Sequence, residues 1–74
     1  MRFPTYRIVI SDKIKEYRKK HHLTQAYLAI LLGVSPQAIS KWEKELCYPD
    51  IIFLPRLAQV FGCRIDDFFE NDKK

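Results

Sequence analysis

The stretch over residues 25–44, QAYLAILLGVSPQAISKWEK, predicts two short helices joined by a tight turn. Its first half places Leu28, Ala29 and Leu32 on one helical face, which predicts that this face is buried. Gly33 then interrupts the pattern, and glycine is favoured where a helix ends in a left-handed turn. The stretch therefore predicts a helix, a turn and a second helix within twenty residues.

The second helix carries its own starting signals. Ser35 can cap it through its hydroxyl, and Pro36 suits the first position, where no amide hydrogen is required. Ile39 and Trp42, three residues apart, are expected to face inward. The remaining outward face consists of amide, hydroxyl and ammonium groups, from Gln37, Ser40, Lys41 and Lys44. A short helix with such a face suits the major groove of DNA.

At these residues the chain resembles the helix-turn-helix domain of lambdoid phage repressors and Cro proteins, the Xre-like family. The resemblance covers residues 12–69, and the matching positions are Thr24, Gln25, Ala29, Gly33, Ser35, Ile39, Trp42, Glu43 and residues 48–50. A small residue at position 29 is expected on physical grounds, because the small side chain of Ala29 lets two helices cross closely. The resemblance implies an all-α fold, a five-helix, lambda-repressor-like DNA-binding domain, to which the sequence itself adds an extended N-terminal arm.

Three residues of the second helix are the candidate base readers. The amide of Gln37 can bond both edge groups of adenine, and Lys41 can reach the acceptors of guanine one turn later. Ser40 lies between them on the same outward face. Lys44, at the far end of the helix, is a candidate for a phosphate contact.

The resemblance assigns further roles. Gln25 matches a residue that grips a phosphate and braces the first base reader, and Ser35 and Pro36 match positions that also touch bases. In the family, an arginine at the position of Arg18 forms a structural ion pair with a glutamate at the position of Glu43. The loop at residues 45–48 departs from the family, which often carries a glycine and a basic residue there. We expect the carboxylate of residue 45 to turn away from DNA.

Composition and charge agree with a small DNA-binding domain. The chain has 74 residues, of which 47% are hydrophobic, enough for one packed helical core. The net charge is +4, but residues 1–44 carry nine Lys and Arg residues against three acids, whereas residues 45–74 carry four against six. The basic half contains the two-helix motif, and a basic face suits a polyanion.

No stretch of the sequence suggests a membrane or a secretory route. No apolar run approaches the roughly 18 residues that a membrane span needs. Residues 3–10 are interrupted by Pro4 and Arg7 and lack the small-residue cleavage site of a signal peptide. We therefore expect a cytoplasmic protein with no membrane partner.

Residues 1–10 are expected to form the N-terminal extended arm, because residues 5–10 are rich in β-branched and aromatic side chains. Three outcomes remain open: the arm packs on its own domain, pairs with the arm of a second copy, or touches phosphate through Arg2 and Arg7. Apolar residues of the outer surface need a cover, which Phe3, Tyr6 and Ile8 of the arm or another subunit could supply. These candidate interface residues are Tyr27, Ile30, Leu31, Ile52 and Phe53.

The helix-turn-helix DNA-binding domain is expected over residues 11–70, followed by a polar tail at residues 71–74. Ser11 or Asp12 is expected to cap the first helix. Asp50 is expected to cap a fourth helix that ends at Gly62, with a kinked or 3₁₀-like first turn because of Pro55. A short fifth helix is expected over residues 65–70, with its apolar side chains inward.

The sequence does not predict an enzyme. We find no acid–base pair or nucleophile arrangement, and neither the adjacent His21 and His22 nor the distant Cys47 and Cys63 have metal-ligand spacing. No cofactor and no metal are expected.

We therefore expect a sequence-specific DNA-binding transcriptional regulator, acting as a repressor, that reads the major groove with helix 36–44. A pseudo-palindromic operator of double-stranded DNA would bind a homodimer far better than a single copy. The alternative is a protein-binding module, such as an antitoxin or anti-regulator, that uses the same scaffold to hold a protein partner. The outer apolar residues favour that alternative.

Overall fold

The computed structural model describes residues 6–71, and four α-helices form most of that part of the chain. The helices are α1 (Ile10–His21), α2 (Gln25–Leu32), α3 (Pro36–Glu43) and α4 (Leu54–Phe61). A 3₁₀ helix, Ile51–Phe53, precedes α4, and another, Ile65–Phe68, follows it. Two short strands, β1 (Tyr6–Ile8) and β2 (Phe69–Asn71), lie at the two ends. The expected helical fold is confirmed, with four α-helices instead of five.

All four α-helices contribute to one hydrophobic core. The buried members are Ile10, Ile14, Leu28, Ala29, Leu32, Ile39, Trp42, Leu57, Ala58 and Phe68. Helix α2 lies centrally and packs against both α3 and α4. The face predicted from the sequence of α2 is buried, and the small Ala29 lies on it. The core therefore fixes the position of α3 relative to the rest of the chain.

The same hydrogen-bond pattern ends each of the four α-helices. In every case a backbone N–H reaches the carbonyl five residues earlier: Leu23 to Arg18, Val34 to Ala29, Leu46 to Lys41 and Cys63 to Ala58. The residue before each donor has a positive φ, and these are His22, Gly33, Glu45 and Gly62. This arrangement supplies partners for the last carbonyls of a helix, which have none within it.

Helix α1 begins earlier than expected. Neither Ser11 nor Asp12 caps it, because the helix starts at Ile10 and Val9 occupies the cap position without a side-chain bond. The backbone N–H of Val9 donates to the carbonyl of Phe68 at 2.9 Å. This contact with the end of the chain anchors the entry into α1 and leaves Ser11 buried in the first turn.

The described part of the arm pairs with the C-terminal segment of the same chain. Strands β1 and β2 are antiparallel, with Tyr6 opposite Asn71, Arg7 opposite Glu70 and Ile8 opposite Phe69. The expected cover over the outer face of α2 is therefore not formed by Ile8, and Tyr27 and Ile30 are exposed. Phe3, which was also expected there, lies outside the described residues.

The C-terminal segment also differs from expectation. Only the first part of the expected fifth helix is helical, as a 3₁₀ turn, and the chain then becomes extended at Phe69. Phe68 is buried, but Ile65 and Phe69 remain partly exposed instead of facing inward. Pairing with β1 explains the change, because it gives the backbone new hydrogen-bond partners. Asn71, expected in the polar tail, belongs to this strand.

The start of α4 agrees with the effect expected of Pro55. A 3₁₀ helix follows Asp50, and α4 itself begins only at Leu54, with Pro55 in its first turn. Proline is tolerated there because the first amides of a helix have no partner within it. The side chain of Asp50 makes no capping bond, so the expected cap is absent.

Candidate nucleic-acid interface

Helices α2 and α3 form a helix-turn-helix with a side-chain cap at the start of each helix. The hydroxyl of Thr24 accepts a hydrogen bond from the N–H of Tyr27 at 3.0 Å, and the hydroxyl of Ser35 accepts one from Ala38 at 3.2 Å. Gly33, with φ +73°, makes the turn between the helices. The capped helices and the left-handed turn predicted from the sequence are thus confirmed.

Helix α3 is fixed by its inner face. Ile39 and Trp42 are buried, and the ring centroid of Trp42 lies 6.2 Å from that of Phe53. The helix ends at Glu43, one residue before the expected end, and Lys44 forms its cap. A helix held by apolar groups on one side presents its other side in a defined orientation.

The outer face of α3 is polar and accessible. Gln37, Lys41 and Lys44 follow one another at spacings of four and three residues, so they form one stripe along the helix. All three are exposed, as is Pro36, while Ser40 is half-buried. The structure therefore brings the predicted base readers and the predicted phosphate contact onto one surface.

Two of the predicted contact residues also have partners within the chain. Ser35 is exposed, but its hydroxyl oxygen caps α3. Gln25 is half-buried, and its amide nitrogen donates to the Glu43 carboxylate at 3.1 Å. An amide nitrogen carries two hydrogens, so Gln25 retains one donor for a second partner.

Arg18 and Glu43 join α1 to the end of α3. The guanidinium donates two parallel hydrogen bonds to the carboxylate, from Nε to Oε2 at 2.6 Å and from Nη2 to Oε1 at 2.9 Å. A third bond runs from Nη1 to the carbonyl of Leu23 at 3.0 Å. The side chain of Glu43 is 8% exposed and that of Arg18 is 24% exposed. Such paired bonds fix geometry as well as contributing energy.

The environment of Glu43 favours its charged form. Burial raises the pKa of the carboxyl, but the hydrogen bonds from Arg18 and Gln25 outweigh burial and hold the pKa below its ordinary value. The pKa of Arg18 is raised, mainly by its hydrogen bond to Glu43. The two shifts agree, and the pair is ionised at neutral pH.

The loop after α3 holds Glu45, whose carboxylate is expected to turn away from DNA. Glu45 adopts a left-handed conformation, with φ +61°. Its Oε2 accepts a hydrogen bond from the hydroxyl of Ser11 at 3.0 Å. The side chain is therefore directed toward α1.

The candidate interface residues fall into two groups. Ile30 is 75% exposed, Ile52 is 73% exposed and Tyr27 is about half exposed. Leu31 and Phe53, by contrast, are partly buried and pack against the core. The expectation that these two lie on the outer surface is wrong, because their side chains pack against the core.

Three further apolar side chains between α3 and α4 are exposed, and they were not predicted from the sequence. Leu46 and Ile51 are 70% and 74% exposed, and Tyr48 is about half exposed. The signal that could have identified them is the density of apolar residues over positions 46–54, in a segment that connects two helices. Connecting segments lie at the surface, so apolar residues in them are not all buried.

No helix within residues 6–71 is long and apolar enough to cross a membrane. Among the same residues, no three His, Cys, Asp or Glu side chains form a group that could hold a metal ion.

Comparison with known proteins identifies the family. The family model described as helix-turn-helix matches residues 14–68. An uncharacterized HTH-type transcriptional regulator of Methanocaldococcus jannaschii is 42% identical over 66 residues, which cover 86% of this chain and 100% of that protein.

Solved structures show the same fold. The crystal structure of the phage P22 c2 repressor in complex with a synthetic operator has a TM-score of 0.74 and 33% identity, covering 81% of this chain and 91% of that one. Hydroxypropylphosphonic acid epoxidase from S. wedmorenis has a TM-score of 0.67 and 29% identity. That match covers 86% of this chain but only 34% of the epoxidase.

The family model spans well over half of the chain, and the relative from Methanocaldococcus jannaschii is matched over its whole length. The resemblance drawn from the sequence of α2 and α3 is confirmed. The chain belongs to the helix-turn-helix family.

Proposed function

We propose that this chain is a DNA-binding transcriptional regulator that inserts α3 into the major groove of double-stranded DNA. The observation that carries the proposal is the arrangement of α3. Its apolar side is buried through Ile39 and Trp42, while Gln37, Lys41 and Lys44 form an exposed polar stripe. The P22 c2 repressor, which has the same fold, was crystallised with a synthetic operator. Within this reading, residues 11–70 form the DNA-binding domain.

Base recognition is assigned to the exposed stripe and its margin. Gln37 pairs with the edge of an adenine, and Lys41 donates to guanine acceptors one turn further along. Ser40 is half-buried and reaches a base only at the edge of the contact. Pro36 has no N–H to donate and offers an apolar contact to a thymine methyl group. Each good bidentate pair contributes about 1–3 kcal/mol of discrimination.

Phosphate contacts are assigned to residues at the ends of the helices. Lys44 lies at the C-terminal end of α3, and Gln25 lies at the start of α2. Gln25 is held by Glu43, which orients its remaining amide hydrogen before DNA arrives. Phosphate contacts position the domain, while base contacts carry the sequence preference. Ser35, the cap of α3, belongs with the base contacts, which it makes through the hydroxyl proton that capping leaves free.

Two copies are proposed to act together as a repressor. One copy presents a single short helix, so two copies on a pseudo-palindromic operator would bind far more tightly than one. The half-sites would lie about 34–36 Å apart, one turn of the duplex. A homodimer bound in this way would occlude other proteins from the same DNA. Action on DNA would place the chain in the cytoplasm.

The test is selection of bound sites from a pool of random duplexes with the full chain. We expect an enriched pseudo-palindrome with half-sites about one helical turn apart. Measurement of the salt dependence alone would report phosphate contacts, which are independent of sequence. A pool that shows no enriched motif after selection would contradict the proposal.

A protein-binding module, such as an antitoxin or anti-regulator, is the second candidate. The exposed apolar side chains of Leu46, Ile51 and Ile52 favour it, because neighbouring exposed apolar residues mark interaction surfaces. The selection experiment discriminates the two functions, since a module that only binds protein would enrich no DNA sequence. An enzymatic role is not proposed, because the epoxidase match covers only about a third of that enzyme.

A further inference from the structure

We propose that Ser11 is a positioning residue for DNA binding: it holds the carboxylate of Glu45 against α1 and away from the phosphate backbone. The proposal rests on the DNA-binding function proposed above and adds a residue from α1, outside the two-helix motif. The role follows from the charge of Glu45. This acid directly follows Lys44, in a loop where phosphate would approach, and its carboxylate would repel that phosphate.

Ser11 is buried and makes a hydrogen bond to Glu45. Its side chain is only 2% exposed, and its hydroxyl donates to the Glu45 carboxylate at 3.0 Å. Ser11 and Arg18 lie seven residues apart, which places them on the same face of α1, two turns from each other. The buried Ile14 lies between them on that face. Helix α1 thus holds the end of α3 at two points, at Glu43 through Arg18 and at Glu45 through Ser11.

Glu45 occupies a conformation that usually favours glycine. Its φ is +61°, and its N–H donates to the carbonyl of Trp42 in the turn that closes α3. A residue with a Cβ is strained in this region, and glycine is not. The bond from Ser11 offsets part of that strain, and it also determines where the carboxylate points.

The hydrogen bond matters because Glu45 is otherwise exposed. A carboxylate released from Ser11 could rotate toward the side on which Lys41 and Lys44 face DNA. It would then repel phosphate and reduce the attraction of those two ammonium groups. With the bond in place, the same charge lies against α1, so the basic stripe of α3 is presented without an opposing charge.

The first experiment varies Glu45 in the full chain. Glu45→Asp keeps the charge but shortens the side chain by about 1.5 Å, which breaks the bond to Ser11. Glu45→Asn has the same size without the charge, and both side chains tolerate the left-handed conformation. Binding to the selected duplex is measured by fluorescence anisotropy at several salt concentrations.

We expect Glu45→Asp to weaken binding about three- to tenfold at low salt, the effect of one unpaired charge near phosphate. Glu45→Asn should bind within about twofold of the unmodified chain, since no charge remains to be repelled. The deficit of the Asp variant should shrink as salt is raised, because exposed charges are screened. Equal binding by the Asp variant and the unmodified chain, or equal losses in both variants, would overturn the proposal.

The second experiment removes the donor. Ser11→Ala should weaken binding to the same degree as Glu45→Asp, and adding Glu45→Gln to Ser11→Ala should restore it. A purely structural role for Ser11 predicts no such recovery, because neutralising Glu45 cannot refill the space of the lost hydroxyl.

If the Ser11→Ala chain does not fold, the comparison of Glu45→Asp with Glu45→Asn still tests the proposal. If the unmodified chain binds no duplex, the proposed function fails as well, whereas failure of the variants alone removes only the role of Ser11.

Discussion

At the scale of single residues, Glu43 is the polar centre of the domain. Its two carboxylate oxygens receive hydrogen bonds from Arg18 on α1 and Gln25 on α2, while Glu43 itself belongs to α3. Three helices therefore meet at one buried group. The sequence could indicate this pair only through family resemblance, because no spacing rule links residues on different helices. The bond from Gln25 could not be foreseen from the sequence at all.

Replacement of Arg18 by methionine is expected to be costly. It leaves Glu43 buried without its main partner, and breaking a buried pair costs roughly 3–5 kcal/mol. Because Arg18 is partly exposed, we expect a loss of about 2–4 kcal/mol in the free energy of unfolding, measured in urea. The double variant Arg18→Met/Glu43→Leu should recover much of it. Arg64→Met is the control, because Arg64 forms an ion pair with Asp66 in which both side chains are strongly exposed. A loss of stability no larger than that of the control would show that the Arg18–Glu43 pair does not stabilise the fold.

The lowered pKa of Glu43 makes stability depend on pH. A carboxyl whose pKa is lower in the folded chain stabilises it above the ordinary pKa, 4.5 here, and this contribution is lost as the pH falls through the folded value. The unmodified chain should exceed Glu43→Gln in stability at pH 6, and the difference should shrink below about pH 4.5. Urea unfolding at pH 6, 4 and 3 provides the comparison, in which other acids cancel. A difference that stays constant to pH 3 would contradict the lowered pKa.

At the scale of elements, the helix ends show which features sequence can predict. Gly33 and Gly62 marked the ends of α2 and α4 correctly, because glycine is the usual residue for a left-handed closing turn. The same turn occurs at His22 and Glu45, where no glycine signals it. At Glu45 the turn is accompanied by the bond from Ser11, which joins residues 34 positions apart and leaves no local pattern in the sequence.

Alanine at Gly33 should weaken the fold by a moderate, predictable amount. A Cβ there would meet no atom within 4 Å, so the cost comes only from the left-handed backbone. We expect about 1 kcal/mol in urea unfolding. Gly62→Ala is the matched control, because Gly62 has nearly the same φ and equally open surroundings. A much larger loss for Gly33→Ala than for Gly62→Ala would show that the turn between α2 and α3 is more crowded than described.

The terminal strands show why some elements could not be predicted. Residues 5–10 have the composition of a strand, but an isolated strand in a helical domain has no evident partner. The partner, β2, begins at Phe69, and apolar spacing in that segment instead predicted a helix. Pairing between the two ends of the described chain outweighs the helical preference of this short segment. Local propensity is a weak guide in such short segments.

At the scale of the whole molecule, α1 and α2 hold α3 so that its polar stripe faces outward. The uneven charge of the sequence and the outward face of α3 were both predictable, because they follow from composition and helical spacing. The apolar surface was predicted only in part. Ile30 and Ile52 are exposed as expected, but Leu46 and Ile51 were overlooked, and exposure within a connecting segment depends on the path of the chain.

The proposed reading of DNA by α3 is tested by comparing the duplex sites selected by the unmodified chain, by Gln37→Ala and by Lys44→Ala. Gln37→Ala should lose its preference for adenine at one position in each half-site and keep the rest of the motif. Lys44→Ala should keep the whole motif while binding every site more weakly, with a smaller salt dependence. If Gln37→Ala enriched the same motif at full strength, α3 would not read DNA through its outer stripe, and the proposed mode of DNA binding would be wrong.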